Sequence, residues 1–178
     1  MIALFFEVTP LSGHAQRYFE LAAVLKPELE RNGGLLFIDR YTSVERPDVV
    51  LSHSLWENEE HLIRWREHSK HRAVQLAGRE RHFRDYRLRI ARLADPSRIT
   101  DNARYVWASH YEAEPNERTL GELYQSVYRE RKFLVVGDGV PVQQDMSTNT
   151  QTFEIVRDYT MHDRAEAPQQ YPPVARSR

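Results

Sequence analysis

A chain of 178 residues can bury a hydrophobic core without staples, and its formal charge of -1 lacks the basic surplus that a nucleic-acid binder carries. Cysteine is absent, which removes thiolate nucleophiles, disulfides, iron–sulfur clusters and cysteine-ligated zinc, so any metal would need His, Asp or Glu. No run approaches the roughly 20 apolar residues of a membrane span, and a cytoplasmic protein with neither membrane nor nucleic-acid partners is expected.

Residues 1–6 are apolar, but Glu7 closes the run and no basic segment precedes it, so it reads as a first strand over 2–9 rather than a leader. Pro10, Ser12 and Gly13 end that strand. A helix over 14–31 follows, with Tyr18, Leu21, Ala22, Leu25 and Leu29 as its apolar stripe. Pro27 should bend its last turn or restart it, and Asn32-Gly33-Gly34 stops it. Strands over 35–42 and 48–56 flank a short turn at Glu45-Arg46-Pro47 and should pair antiparallel. Asn58 caps a helical region over 58–81, with Glu59 and Glu60 in its first turn and a break at Ser69. In a fourth strand over 83–93, Tyr86, Leu88 and Ile90 alternate with Arg87, Arg89 and Ala91. The order βαββαβ is the ferredoxin-like pattern of an α+β domain.

Further on, strands are expected over 104–112, 132–136 and 150–161, with a short helix over 120–128. The sequence Val135-Val136-Gly137-Asp138-Gly139 is read as a turn after a strand, because no helix pattern follows it as a phosphate loop requires. The organisation is therefore a domain over 1–95, a β-rich extension over 96–164 and an extended or disordered tail over 165–178 that contains Pro168, Pro172 and Pro173. The βαββ order of the extension allows a truncated second copy of the first half, although no repeat is visible residue by residue.

The first three strands are apolar on both faces. Ile2, Leu4, Phe6 and Val8 oppose Ala3 and Phe5; Leu36 and Ile38 oppose Leu35 and Phe37; Val49, Leu51 and Leu55 oppose Val50 and Trp56. Two helices cover only one face of a sheet, so a second sheet must cover the other. A second subunit, giving a homodimeric two-sheet barrel, is preferred over the chain's own second half.

The stretch LSHSLWENEEHLIRWREHSKHRAVQLAGRERHFRDYR, from Leu51 to Arg87, together with the FIDRYTS strand from Phe37, resembles the antibiotic biosynthesis monooxygenase family of dimeric α+β barrels. Its marks are the strand ending in Trp56-Glu57, the helix carrying Trp65, the turn from His68 to His71, the cluster from Arg79 to Arg81, and the final strand at Tyr86-Arg87. The resemblance covers about residues 1–93. It implies a cofactor-independent oxidoreductase whose partner is a small hydrophobic, aromatic or quinone-like molecule in a cavity between sheet and helices. His71 would act as base, His53 as a second base and Arg40 as the oxyanion donor. Trp65, Phe37, Trp56 and Glu7 would line the substrate site, and no metal or cofactor is implied. The haem-degrading branch fits less well, because Glu7 stands where that branch has Asn and Gln75 where it has the proximal His.

Plainer readings compete. The same cavity could hold a hydrophobic ligand unchanged in a non-catalytic or stress-related barrel. Trp56 and Trp65 can be core aromatics, and His53 can be a satisfied core histidine. His68 and His71 have a metal-like spacing but no third ligand. Arg79, Arg81, Arg84, Arg87 and Arg89 can bind an anion or, balanced by Glu80 and Asp85, form a salt-bridged surface or dimer rim.

Overall fold

The first three strands have two apolar faces, and the computed structural model, which describes residues 1–115, 120–142 and 149–168, shows what covers each. The elements in chain order are β1 (Ile2–Pro10), α1 (Ala15–Asn32), β2 (Leu35–Ser43), β3 (Val50–Trp56), α2 (Glu59–Glu67), α3 (Ser69–Ala77), a π-helical turn (Gly78–His82), β4 (Phe83–Leu93), β5 (Tyr105–Tyr111), β6 (Glu122–Ser126), β7 (Phe133–Asp138) and β8 (Thr150–Thr160). The strands close into one antiparallel barrel in the order β1-β3-β2-β6-β7-β5-β8-β4. Read from its β4 edge, the first half is ordered β4-β1-β3-β2, the ferredoxin-like arrangement. Read the same way, the second half is β8-β5-β7-β6, so its four strands repeat the order of the first four. Among the described residues the second half holds no α-helix.

Closure within one chain corrects the preference for a second subunit as the source of the second sheet. Ala3, Phe5, Tyr41, Leu51 and Ala91 point into the lumen and meet Val106, Ala108, Tyr124, Leu134, Val136 and Phe153 from the second half. The greasy inner face that suggested a homodimer is covered by β5 to β8. The opposite face carries Ile2, Trp56 and Ile90, which pack under Leu25 and Leu29 of α1 and Leu62 and Trp65 of α2.

Local chemistry fixes the connections. Asn58 accepts a hydrogen bond from the His61 amide at 3.1 Å and caps α2. The helical region breaks at His68, whose extended ψ of 126° separates α2 from α3 one residue before the expected Ser69. Helix α1 is continuous through Pro27, without the restart that was one of the two expected outcomes. It ends at Gly33 and Gly34, both at positive φ, and a Cβ on Gly34 would lie 2.2 Å from the His61 ring, so only glycine lets α2 seat there. The helix expected over 120–128 is instead strand β6, which bridges β2 and β7 and completes the barrel. Of the tail, residues 165–168 pack on the barrel: Ala167 is buried, and Glu166 pairs with Arg104 at 2.7 Å and accepts from the Asp158 amide. Residues 169–178 lie outside the described residues. No described helix is long and apolar enough to cross a membrane.

Candidate functional site

The helix-facing side of the sheet is the floor of a cavity of about 200 Å³. Strand register lays that floor out in rows. One row runs Tyr159, Leu88, Phe6, Ser52, Arg40 across β8, β4, β1, β3 and β2. The next runs Arg157, Ile90, Leu4, Ser54, Ile38. The middle of the floor is apolar with two serines, and its two edges are cationic. Leu25 of α1, Leu62 and Trp65 of α2, and His71 and Val74 of α3 form the roof.

His71 owes its position to the break at His68, which folds α3 back so that its ring stacks on Trp65, with centroids 4.3 Å apart and planes 16° from parallel. Its Nδ1 lies 2.9 Å from the Trp65 carbonyl oxygen. A carbonyl only accepts, so Nδ1 carries the proton and the neutral ring keeps its lone pair on Nε2. Burial pushes the His71 pKa down to about 4; the bond to Trp65 opposes this and His68 adds to it. At neutral pH the ring is an uncharged acceptor.

At the β2 edge, Arg40 is held by the phenols of Tyr18 and Tyr128, which keep its guanidinium charged against the penalty of burial. Its Nε is buried without a partner. At the other end, Arg79 and Arg164 both donate to the Tyr86 hydroxyl, Arg164 at 2.9 Å. Arg79 comes from the π-helical turn and is 6% exposed. Arg157 on β8 pairs with Glu59 on α2.

Of the residues expected at the site, His71, Trp65, Arg40 and Trp56 line this cavity, Trp56 with its indole N–H bonded to Ser54 at 2.9 Å. His53, Phe37 and Glu7 do not. They occupy alternate positions of β3, β2 and β1 and point into the lumen. His53 is fully buried, stacks on Phe5 at 4.4 Å, and donates from Nδ1 to the Leu4 carbonyl at 3.2 Å. Burial, the His110 ring and Arg89 push its pKa to about 3, against the opposing bond to Leu4. Phe37 packs edge-on to His110. Glu7 joins Arg89 at 2.6 Å and Arg46 at 3.1 Å in an ion-pair network at one barrel end that also includes Glu122 and Asp138.

The arginine run divides accordingly. Arg87 pairs with Asp158, Arg89 with Glu7 and Asp138, and Arg84 with Asp48, ion pairs made with acids other than the expected Glu80 and Asp85, whereas Arg79 turns into the cavity. Arg79, Tyr86, Arg157, Tyr159 and Arg164 were not chosen as site residues from the sequence. Gln75, which the resemblance sets against the proximal His of the haem-degrading branch, lines the cavity beside His71. Among the described residues no cluster of three metal-ligating side chains occurs.

Residues 1–77 match the family model "antibiotic biosynthesis monooxygenase". Over nearly its whole length, 98% of this chain and 100% of the relative, the sequence is 26% identical to a jasmonate monooxygenase of Pyricularia oryzae. Among solved structures, a candidate antibiotic biosynthesis monooxygenase of Deinococcus radiodurans aligns with a TM-score of 0.47 at 13% identity, covering 56% of this chain and 99% of that one. A candidate monooxygenase of Lactobacillus acidophilus aligns with a TM-score of 0.45 at 8% identity, covering 87% and 92%.

Proposed function

We propose that this protein is a monooxygenase that needs no bound cofactor and acts on a small, largely apolar molecule in the sheet–helix cavity. The expected substrates are aromatic or quinone-like compounds, and the name of the fungal relative adds jasmonate to the set worth testing. The observation that carries the reading is His71: a neutral imidazole with its lone pair on Nε2, clamped by Trp65 inside an apolar chamber.

In this reading Nε2 of His71 accepts the proton of an acidic C–H or phenolic O–H. Arg40, oriented by Tyr18, stabilises the oxyanion that forms. The surrounding apolar wall keeps the carbanion from being reprotonated by water until it meets dioxygen. For a methylene flanked by activating groups the reaction balances as CH2 plus O2 giving C=O plus H2O. The substrate supplies all four electrons, one oxygen atom enters the carbonyl and the other leaves as water.

Oxygen uptake tests it. Protein dialysed against a chelator, with no flavin or haem absorbance, is expected to consume oxygen with an anthrone-type or naphthol substrate or with jasmonate. His71→Ala should lower kcat about 10²-fold, in line with the loss of a general base, and Trp65→Phe by a smaller factor. Ligand binding without oxygen uptake would make the cavity that of a carrier instead.

A further inference from the structure

Among the described residues five serines are buried: Ser43, Ser52, Ser54, Ser109 and Ser126. Four of them have a side-chain hydrogen bond. Ser43 donates to Glu122, Ser126 donates to Asp39 at 2.9 Å, Ser109 lies 2.6 Å from the Thr150 hydroxyl, and Ser54 accepts from the Trp56 indole at 2.9 Å. Ser52 is the exception. It is 8% exposed, and among the described residues its hydroxyl has no hydrogen-bond partner.

Strand register shows where that hydroxyl stands. Ser52 faces Phe6 on β1 and Arg40 on β2, and serine and arginine lie directly opposite each other, with Cβ atoms about 4.5–5.5 Å apart. Both line the helix-facing cavity, where Leu4, Phe6 and Ile38 make the floor around them hydrocarbon. A hydroxyl in such a wall costs stability unless something bonds to it, and an apolar side chain would fit the sheet without that cost. Arg40 brings a second donor. Its guanidinium has five N–H groups, and the described groups bonded to it are the phenols of Tyr18 and Tyr128, so donors remain over. Among the described residues no carboxylate lies within ion-pair distance of it.

We propose that Ser52 and Arg40 form the seat of one substrate oxygen, the carbonyl of an enolisable ketone, with the Ser52 hydroxyl donating to one lone pair and the Arg40 guanidinium to the other. This rests on the reading of the cavity as the substrate site, and it adds Ser52 as a donor to the substrate and ketones as the substrate class. A carbonyl oxygen has two lone pairs and no proton, which suits a pair of donors. A carboxylate carries its full charge from the moment it binds, whereas a ketone becomes charged only when its α-proton leaves, so the ketone alone is held more strongly in the transition state. In that step the proton passes to Nε2 of His71 on the roof. The C–H electron pair moves toward the carbonyl oxygen, and the negative charge forms between hydroxyl and guanidinium.

The test uses 2-tetralone, tetralin, which is the same skeleton without the oxygen, and tetralin-2-carboxylate as probes. Calorimetry measures affinity, and infrared difference spectra follow the isotope-labelled carbonyl of the ketone. Wild-type protein is expected to bind the ketone about tenfold more tightly than tetralin, and more tightly than the carboxylate, with the carbonyl stretch at lower frequency than in hexane. Ser52→Ala, with unchanged circular dichroism and melting temperature, should weaken the ketone by about three- to tenfold, leave tetralin unchanged and reverse part of the frequency shift. Ser52→Cys, which keeps the shape with a weaker donor, should act alike. A serine needed only for packing would move both probes together and leave the stretch where it was. Equal affinity for ketone and tetralin, tighter binding of the carboxylate, an unshifted carbonyl, a ketone unmoved by Ser52→Ala, or binding of no probe overturns the seat. Oxygen uptake with an anthrone-type substrate separates this outcome from the reading beneath it. If uptake persists while the seat fails, the oxygenase reading survives; if the ketone is held as described and uptake is absent, the seat stands and the oxygenase reading falls.

Discussion

Mild acid should destabilise this protein through two histidines buried in their neutral form, and His53 gives the cleanest measurement. An unfolded histidine titrates near 6.5, whereas folded His53 titrates at about 3 and His71 at about 4. Between those values the unfolded chain binds a proton that the folded one refuses, so stability is full above about pH 7 and falls as pH drops below 6.5. At pH 5 the linkage relation gives about 2 kcal/mol lost per histidine relative to pH 7, nearly independent of the folded value because both lie below 5. His53→Leu removes one contribution, and it also removes a buried Nε2 that has no partner. Urea unfolding of wild type and variant at pH 7 and pH 5 measures the difference of differences, in which other titrating groups cancel. The variant should lose about 2 kcal/mol less than wild type on acidification. An equal loss in both would mean that His53 is protonated or solvated in the folded barrel, and the description of the lumen as closed would fail.

Two further outcomes follow from the packing. A fragment of residues 1–95 would expose Phe5, Tyr41, Leu51 and Leu55, worth about 1.5–3 kcal/mol each, and should self-associate or unfold in size-exclusion and circular dichroism experiments; a folded, non-associating monomer would refute the need for a second layer. Gly137→Ala places a methyl 2.4 Å from the Trp107 ring and should lower stability by about 1–3 kcal/mol in urea titrations, with most of the loss recovered in a Trp107→Leu background.

The first half was legible because each element has a strong local signal: the stripe of α1, the Asn58 cap, and the alternation of Tyr86, Leu88 and Ile90 against Arg87, Arg89 and Ala91. Segment 120–128 misled for the same reason. Leu120, Leu123, Tyr124, Val127 and Tyr128 recur at helical spacing, yet barrel closure requires alternation, and Tyr124 and Ser126 turn inward as strand residues. The site was half legible. Both faces of β1, β2 and β3 are apolar, so nothing local told which face would meet the helices, and of the expected residues His53, Phe37 and Glu7 fall on the lumen side while His71, Trp65, Trp56 and Arg40 line the cavity. Arg79 was read only as one of a run of arginines, although it shares an i, i+4, i+8 stripe with His71 and Gln75 that lines the cavity. Arg164 was hidden because the residues after β8 carry no periodicity at all.

The second half reaches the cavity through one irregularity. Phe153 and Ile155 of β8 point into the lumen, and strict alternation would send Arg157 there too. The register between β4 and β8 instead shifts between Ile90 and Ala91, which face Arg157 and Ile155 and leave Val156 as the extra residue. Beyond that bulge the parity reverses: Asp158 takes the lumen side to meet Arg87, while Arg157 and Tyr159 emerge beside the helices. The second half thereby contributes two floor residues and, through the segment that follows, Arg164. An unbulged β8 would preserve the barrel's hydrogen-bonded closure yet leave the apolar floor with a cationic edge only at Arg40.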